Sequence, residues 1–227
     1  MKRIVNAFLN KLNWGKRACA VIALCAATAV AVPAQTFTTL FSFDLTDGAG
    51  SGSQALVQAT NGDIYGTTAL GGANTSCYNG CGTVFKITTS GTLTTLHSFD
   101  GTDGSSPTGL VQAANGDFYG TTQYSGANNG GTVFKITPGG TLTTLYTFCS
   151  QGGSNCTDGA NPEAGLAQAT NGDLYGTTYG GGANAGPYGG GTGTIFKITP
   201  GGTLTTLHSF CSQTNCPDGA YPSAALV

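Results

Sequence analysis

Charged side chains are scarce in this sequence, at 8% of its 227 residues, and the basic ones are nearly confined to its start. Five of the eight Lys and Arg residues lie within positions 1–17. The rest of the chain has only Lys86, Lys135 and Lys197 against ten acidic residues, so it is acidic overall. A nucleic-acid-binding surface needs clustered Lys and Arg to neutralise phosphates. The composition therefore argues against a nucleic-acid partner.

Long apolar runs and good helix formers are also in short supply. The apolar stretch at 18–32 is shorter than the ~20 residues that a membrane-spanning helix needs. Gly, by contrast, accounts for 38 residues, and together with Thr and aromatic residues it favours strands and turns over helices. An apolar content of 39% and a small net charge exclude a disordered chain.

A secretory signal peptide is predicted at 1–34. The basic segment is followed by the apolar run, and then Val32-Pro33-Ala34-Gln35 places small residues at a cleavage site after Ala34. The alternative is an uncleaved anchor helix, for which the apolar run is short. We therefore expect an exported protein, secreted or at the cell surface, with no stable membrane span after cleavage and a repeat domain at 35–227.

Two strings recur in tandem, which indicates a repeat architecture. The string Asn-Gly-Asp-(apolar)-Tyr-Gly-Thr-Thr lies at 61–68, 115–122 and 171–178. The string Gly-Thr-(Val/Ile)-Phe-Lys-Ile-Thr lies at 82–88, 131–137 and 193–199. We delimit the repeats as 36–91, 92–140, 141–202 and a truncated fourth at 203–227.

Each repeat is predicted to hold four strands: a Thr-Leu-Thr-Thr-Leu strand such as 92–99, a short strand such as 109–113, and the two recurring strings. In the first strand Leu93, Leu96 and Phe99 do not alternate, which indicates a sheet covered on both faces or a β-bulge. Asn-Gly predicts a tight hairpin with two residues at positive φ, and Pro-Gly-Gly predicts a second turn, between the last strand of one repeat and the first of the next.

Four antiparallel strands about every fifty residues are typical of a propeller blade, and a single blade cannot bury its own faces. We expect an all-β fold of tandem four-stranded antiparallel blades of a β-propeller, a partial ring with about three complete blades. Because the fourth repeat breaks off within its second predicted strand and a propeller has at least four blades, we also expect the sequence to be a fragment of a longer protein.

The connections that vary in length are predicted to share one end of the blades, since alternate connections of a meander emerge on the same side. The variable loops at 69–81, 123–130 and 179–192 are the candidate binding regions, although unrestrained drift of surface loops is the alternative. Six Cys residues fall into three close pairs within the variable connections. The pairs, predicted to be disulfides rather than metal ligands, are Cys77 with Cys81, Cys149 with Cys156, and Cys211 with Cys216.

Candidate catalytic chemistry is sparse. Asp44-x-x-Asp47-Gly48 and its counterpart at 100–104 leave a calcium site open, but the spacing fits Asp-Gly turns better. His97 and His208 share a repeat position with Phe41 and Tyr146, which predicts a packing ring rather than a catalytic base. The recurring Tyr is predicted to pack between blades. We therefore expect no catalytic residue, no metal ligand and no cofactor.

These strings, with Asp-Gly-Ala-x-Pro between them, resemble the GloVer tandem repeat of exported bacterial proteins, which often carry variable anchors. The resemblance covers 36–227 and implies no established activity. More loosely, the Asn-Gly-Asp-Leu-Tyr string is similar to blade motifs of NHL-type, lactonase and streptogramin-lyase propellers. We expect a non-catalytic protein with a binding or structural role at the bacterial cell surface, its partner an extracellular protein or glycan. The alternatives are a propeller enzyme of lactonase or lyase type and a glycan-binding module.

Overall fold

Three four-stranded antiparallel sheets follow one another along the chain. The computed structural model describes residues 37–50, 56–151, 156–186 and 190–227. The predicted signal peptide lies outside these residues. Within each sheet the strands are hydrogen-bonded in sequence order, and no helix occurs in the described residues. The predicted all-β fold of tandem blades is confirmed.

Each blade is a simple up-and-down meander whose bounds are as follows. Blade 1 consists of β1 (Val57–Gln58), β2 (Ile64–Thr68), β3 (Thr83–Ile87) and β4 (Leu93–Ser98). Blade 2 consists of β5 (Ser105–Gln112), β6 (Phe118–Tyr124), β7 (Thr132–Ile136) and β8 (Leu142–Thr147). Blade 3 consists of β9 (Ala167–Gln168), β10 (Leu174–Thr178), β11 (Thr194–Ile198) and β12 (Leu204–Ser209).

The blades are offset by one strand from the repeats delimited in the sequence. The Leu-Thr-Thr-Leu strand, taken as the first of each repeat, is the last strand of the preceding blade, as β4 pairs with β3. The cause is the tight turn before it: in blade 2, Thr137 N–H donates to Thr141 O at 3.0 Å and Gly140 N–H to Thr137 O at 2.9 Å. A turn this short makes its two flanking strands hydrogen-bonded neighbours. Each sequence repeat therefore spans two blades.

The Asn-Gly hairpin forms as predicted but with a different turn. Gly62 N–H donates to Ala59 O at 2.9 Å, and Gly62 has φ +88° whereas Asn61 is not at positive φ. This is a three-residue connection in which a left-handed residue follows an ordinary turn, a conformation that favours Gly. Asn61 instead uses its side chain, accepting from Asp63 N–H at 3.1 Å. The prediction of two residues at positive φ was wrong.

The predicted irregularity of the Leu-Thr-Thr-Leu strand is a β-bulge. Val84 pairs with His97 but Phe85 pairs with Thr95, which leaves Leu96 as an extra residue. The same register shift recurs in the other two blades. The bulge turns both Leu96 and Phe99 towards the core between blades 1 and 2, which explains the broken alternation.

The core lies between successive blades. The Tyr65 ring of blade 1 stacks on Phe118 of blade 2 with centroids 4.1 Å apart, and both side chains are almost fully buried. A second apolar cluster joins Tyr119 of blade 2 to Leu174 and Phe196 of blade 3. The recurring Tyr therefore packs between blades at Tyr65 and Tyr119, as predicted. The described residues contain no helix long and apolar enough to cross a membrane.

Candidate functional site

The variable connections gather at one end of the blades, which we call the loop end. The opposite, turn end carries the Asn-Gly-Asp hairpins and the Pro-Gly-Gly turns or their blade 1 equivalent. In blade 1, Asn74 Nδ2 in the 69–81 loop donates to Ser98 O at 2.8 Å and to Phe99 O at 3.1 Å. Asn184 in the 179–192 loop makes the same pair of bonds in blade 3. The loops are thus tied to the crossovers that lead from one blade to the next.

The early crossovers are closed by paired aspartates acting as turn acceptors. Asp100 Oδ1 accepts from Thr102 N–H at 2.8 Å and from its hydroxyl at 2.7 Å, while Asp103 Oδ1 accepts from Asp100 N–H at 3.0 Å. The Thr102 hydroxyl, and then its N–H, hold the pKa of Asp100 below its usual range against the opposing effect of burial. Asp44 has the same bonds and a lowered pKa. Turn chemistry therefore accounts for the Asp-x-x-Asp spacing.

The later crossovers replace the first aspartate by a disulfide. The structure joins Cys149 to Cys156 and Cys211 to Cys216, and it joins Cys77 to Cys81 within the 69–81 loop, as predicted. No group of three or more His, Cys, Asp or Glu side chains with metal-binding geometry occurs in the part of the chain that the structure describes.

A ring from the bulged strand reaches the second aspartate of each crossover. His97 Nε2 lies 2.6 Å from Asp103 Oδ2, and His208 Nε2 lies 3.0 Å from Asp218 Oδ2. In the third crossover the Tyr146 hydroxyl donates to Asp158 Oδ2 at 2.8 Å. Sequence reasoning found the packing role of these rings but missed their polar partner. The available signal was the recurrence of His or Tyr a few residues before each Asp-Gly pair.

The two His–Asp pairs serve the fold rather than a reaction. The His97 ring packs edge-on against Phe99 with centroids 4.9 Å apart, and His208 packs against Phe210 in the same way. Neither imidazole makes a hydrogen bond to a Ser, Thr or Cys side chain among the described residues. A His–Asp pair without a nucleophile lacks the relay that hydrolytic triads require.

Two open clefts lie at the loop end. One, of about 560 Å³, is bounded by Leu45, Asn74 and the disulfide loop that carries Tyr78. The other, of about 520 Å³, lies between Asn184 and the disulfide loop 211–216, which contributes Gln213, Thr214 and Asn215. Amide and hydroxyl groups dominate the second cleft, so it offers hydrogen-bond donors and acceptors without net charge.

Each predicted binding loop also carries a solvent-exposed tyrosine. Tyr78 is 90% exposed, Tyr124 47% and Tyr179 39%. The Tyr179 ring lies 5.1 Å from that of Tyr221, in a tilted arrangement. These rings contrast with Tyr65 and Tyr119, which are 1% exposed in the core. The loop end therefore combines polar clefts with accessible aromatic faces.

Comparison with protein-family models bears on the identity of the repeat. A model described as the Gloeobacter/Verrucomicrobia repeat matches residues 28–227. The chain belongs to this repeat family. The resemblance seen in the recurring strings is thereby confirmed. No curated protein matches the sequence.

Several solved structures are similar to this member of the repeat family. A catalytically inactive virginiamycin B lyase from Staphylococcus aureus, solved with quinupristin, is 16% identical, with 76% of this chain and 45% of that chain covered and a TM-score of 0.48. A gluconolactonase from Xanthomonas campestris is 12% identical, with 73% and 50% covered and a TM-score of 0.46. An aldose sugar dehydrogenase from Streptomyces coelicolor is 16% identical, with 70% and 47% covered and a TM-score of 0.43. The repeat chain spans about half the length of these structures.

Proposed function

We propose that this chain is a non-catalytic binding segment of an exported protein and that its loop end is the binding surface. One observation carries the proposal: the two ends of the blades are built on different principles. At the turn end, the same Asn side chain and the same left-handed Gly recur at 61–62, 115–116 and 171–172. At the loop end, lengths differ and disulfides hold the connections.

A constant scaffold with diversified, stapled loops is the usual arrangement of a binding repeat. The disulfides also restrict the loops before a partner arrives, which lowers the entropic cost of binding. Disulfide-bonded loops agree with export into an oxidising compartment. The predicted signal peptide, if cleaved after Ala34, would deliver the chain there.

A catalytic role has less support from the residues. An active site needs polar groups that depart from the repeat pattern and converge on one point. The most suggestive groups, the His–Asp pairs, recur in equivalent crossovers and make equivalent packing contacts. A propeller enzyme of lactonase or lyase type remains the competing proposal and is tested below.

Glycans are the ligand class that the loop end fits best. Tyrosine presents a flat apolar face with a polar tip, and aromatic anchors of this kind are common at binding hot spots. Tyr78 and Tyr179 flank loops rich in amides and hydroxyls, which can exchange hydrogen bonds with sugar hydroxyls. The neutral clefts favour an uncharged ligand over a phosphate or a carboxylate.

A glycan array probed with the oxidised chain tests this proposal. We expect binding to fall at least tenfold in Tyr78→Ala or Tyr179→Ala, because a hot-spot aromatic contributes about 2 kcal/mol or more. Thr89→Ala, an exposed change at the turn end, is the matched control and should bind like the parent. Binding that survives both tyrosine changes but is lost in Thr89→Ala would place the site at the wrong end.

The enzyme alternative needs its own assay. Incubation of the same protein with aldonolactones, with and without a chelator, should give no turnover above the solvent rate. Turnover that copurifies with the folded chain would contradict the non-catalytic proposal.

A further inference from the structure

Each blade donates a buried hydroxyl hydrogen bond to the blade that follows it. Thr67 Oγ1 of blade 1 donates to Thr108 O of blade 2 at 2.7 Å, and Thr121 Oγ1 of blade 2 donates to Ala164 O at 3.1 Å. The equivalent residue of blade 3 is Thr177, whose side chain is 3% exposed. Its Oγ1 is buried and has no hydrogen-bond partner among the described residues. Buried hydroxyls are normally satisfied, so Thr177 lacks a carbonyl acceptor that its counterparts have.

Aromatic contacts between blades show the same interruption. The crossover Phe99 contacts Phe134 of the next blade at 5.3 Å, and Phe148 contacts Phe196 at 5.2 Å. Both crossover rings are fully buried. Their counterpart Phe210 is half-buried, and its only ring contact among the described residues is with its own neighbour His208.

Three apolar side chains of blade 3 are more exposed than their equivalents. Tyr175 is half-buried, whereas Tyr65 and Tyr119 are buried at 1% exposure. Ile195 is half-buried where Val84 and Val133 are inaccessible. Leu207 is 52% exposed, whereas Leu96 and Leu145 pack against the cluster shared with the next blade.

The crossover after blade 3 follows the path of the earlier crossovers. Ser106 N–H donates to Cys81 O at 2.9 Å and Asn161 N–H to Gly130 O at 2.8 Å, which carries the chain onto the preceding blade. Tyr221 N–H makes the equivalent bond to Thr192 O at 2.7 Å. Residues after Tyr221 are thus directed towards the face that Tyr175 and Thr177 occupy, as happens in the other two crossovers.

We propose that this face of blade 3, formed by Tyr175, Thr177, Ile195, Leu207 and Phe210, is a docking surface for a further four-stranded blade of the same repeat, carried on the same polypeptide. The docked blade would place an apolar side chain on Tyr175, as Phe118 is placed on Tyr65. Its first strand would supply the carbonyl that Thr177 lacks, at the position that corresponds to Thr108 and Ala164. Its third strand would bring a Phe ring to Phe210.

The occupant is a blade, and not an unrelated partner, because every open group on the face has a counterpart that a following blade already covers. A second copy of the chain fits less well. Phe43 already contacts Phe85 on the opposite face of blade 1, at 4.9 Å, in the position that a preceding blade's crossover Phe would take. A second copy would have to displace this contact.

Hydroxyl-radical footprinting of two chains tests the proposal. One is the chain as it stands, and the other is extended past Val227 by a copy of residues 168–210, since Val227 corresponds to Ala167. We expect oxidation of Tyr175 in the extended chain to fall to the rate of Tyr119 in the same chain. Unchanged oxidation of Tyr175 beside a folded extra blade, whose own copied Phe196 is protected, would overturn the proposal.

A substitution cycle separates docking from a general gain in order. Thr177→Val should be neutral or stabilising in the original chain, and it should destabilise the extended chain as much as Thr121→Val does. Equal effects of Thr177→Val in both chains would overturn the proposal.

Two further readouts keep the proposal falsifiable if the added blade does not fold. Sequencing the natural reading frame past Val227 should reveal another Gly-Thr-(Val/Ile)-Phe-Lys-Ile string, and a stop codon directly after Val227 would overturn it. Sedimentation of the original chain should show a monomer at micromolar concentration. A dimer that Leu207→Asp dissociates would assign the face to a second copy instead.

Discussion

His97 Nε2 lies 2.6 Å from Asp103 Oδ2, across the crossover that joins blade 1 to blade 2. The imidazole packs on Phe99 with its ring and holds the crossover carboxylate with its nitrogen. Tyr146 and Asp158 form the corresponding pair one blade later. At the first position of the series Phe41 has no polar tip, and Asp47 there accepts from Asp44 N–H alone. One repeat position therefore serves both packing and loop anchoring.

Replacement of His97 by Phe should separate these two roles. Phe retains the packing surface and removes the hydrogen bond, so we expect a loss of about 1 kcal/mol in the free energy of unfolding, measured by urea denaturation at neutral pH. His97→Ala removes the packing as well and should cost more. A Phe variant as stable as the parent would mean that the bond to Asp103 contributes nothing net.

Alkaline stability should depend on Tyr146. Burial raises the pKa of the phenol, and the Asp158 carboxylate adds to the increase. A group whose folded pKa lies above its unfolded value of about 10 contributes stability that is complete below that pH. The contribution is lost as the pH rises through the folded pKa. We therefore expect the parent to lose stability above about pH 10 more steeply than Tyr146→Phe. Parallel urea titrations that show equal slopes would contradict this.

Removal of the crossover disulfide should weaken the domain measurably. The bridge between Cys149 and Cys156 spans seven residues, and the chain-entropy relation gives about 2.5 kcal/mol for a loop of this size. We expect the double Ser variant to show that loss in urea denaturation. The reduced parent is the control and should match the variant. Reduction that leaves the parent's midpoint unchanged would contradict the prediction.

The Gly after the recurring Tyr should not tolerate a methyl group. A Cβ on Gly120 would lie 2.6 Å from Phe134 Cζ and 3.1 Å from Gly109 O, so the inter-blade core must shift. We expect Gly120→Ala to cost about 1–3 kcal/mol in the free energy of unfolding. Gly139→Ala is the matched control, since its Cβ would meet only Thr137 Oγ1 at 3.8 Å. Equal thermal midpoints for the two variants would show that the core is not tightly packed there.

Much of the architecture was predictable because it depends on local signals. The spacing of the Asn-Gly-Asp and Phe-Lys-Ile strings predicts the strands, and the broken alternation at Leu93, Leu96 and Phe99 indicates the bulge. The three cysteine pairs are close in sequence, so their pairing needed no long-range information. The loops that carry Tyr78, Tyr124 and Tyr179 were identified as the variable end from their lengths alone.

Other features escaped the sequence because they involve contacts between distant parts of the chain. Repetition has no intrinsic starting point, so only the hydrogen bonds between β3 and β4 show that the Leu-Thr-Thr-Leu strand closes a blade. The bond from His97 to Asp103 requires the bulge and the crossover to meet in space. The unpaired hydroxyl of Thr177 becomes visible only beside Thr67 and Thr121, whose acceptors lie more than forty residues away. Local chain geometry is thus encoded residue by residue, whereas satisfaction of buried groups depends on which blade packs against which.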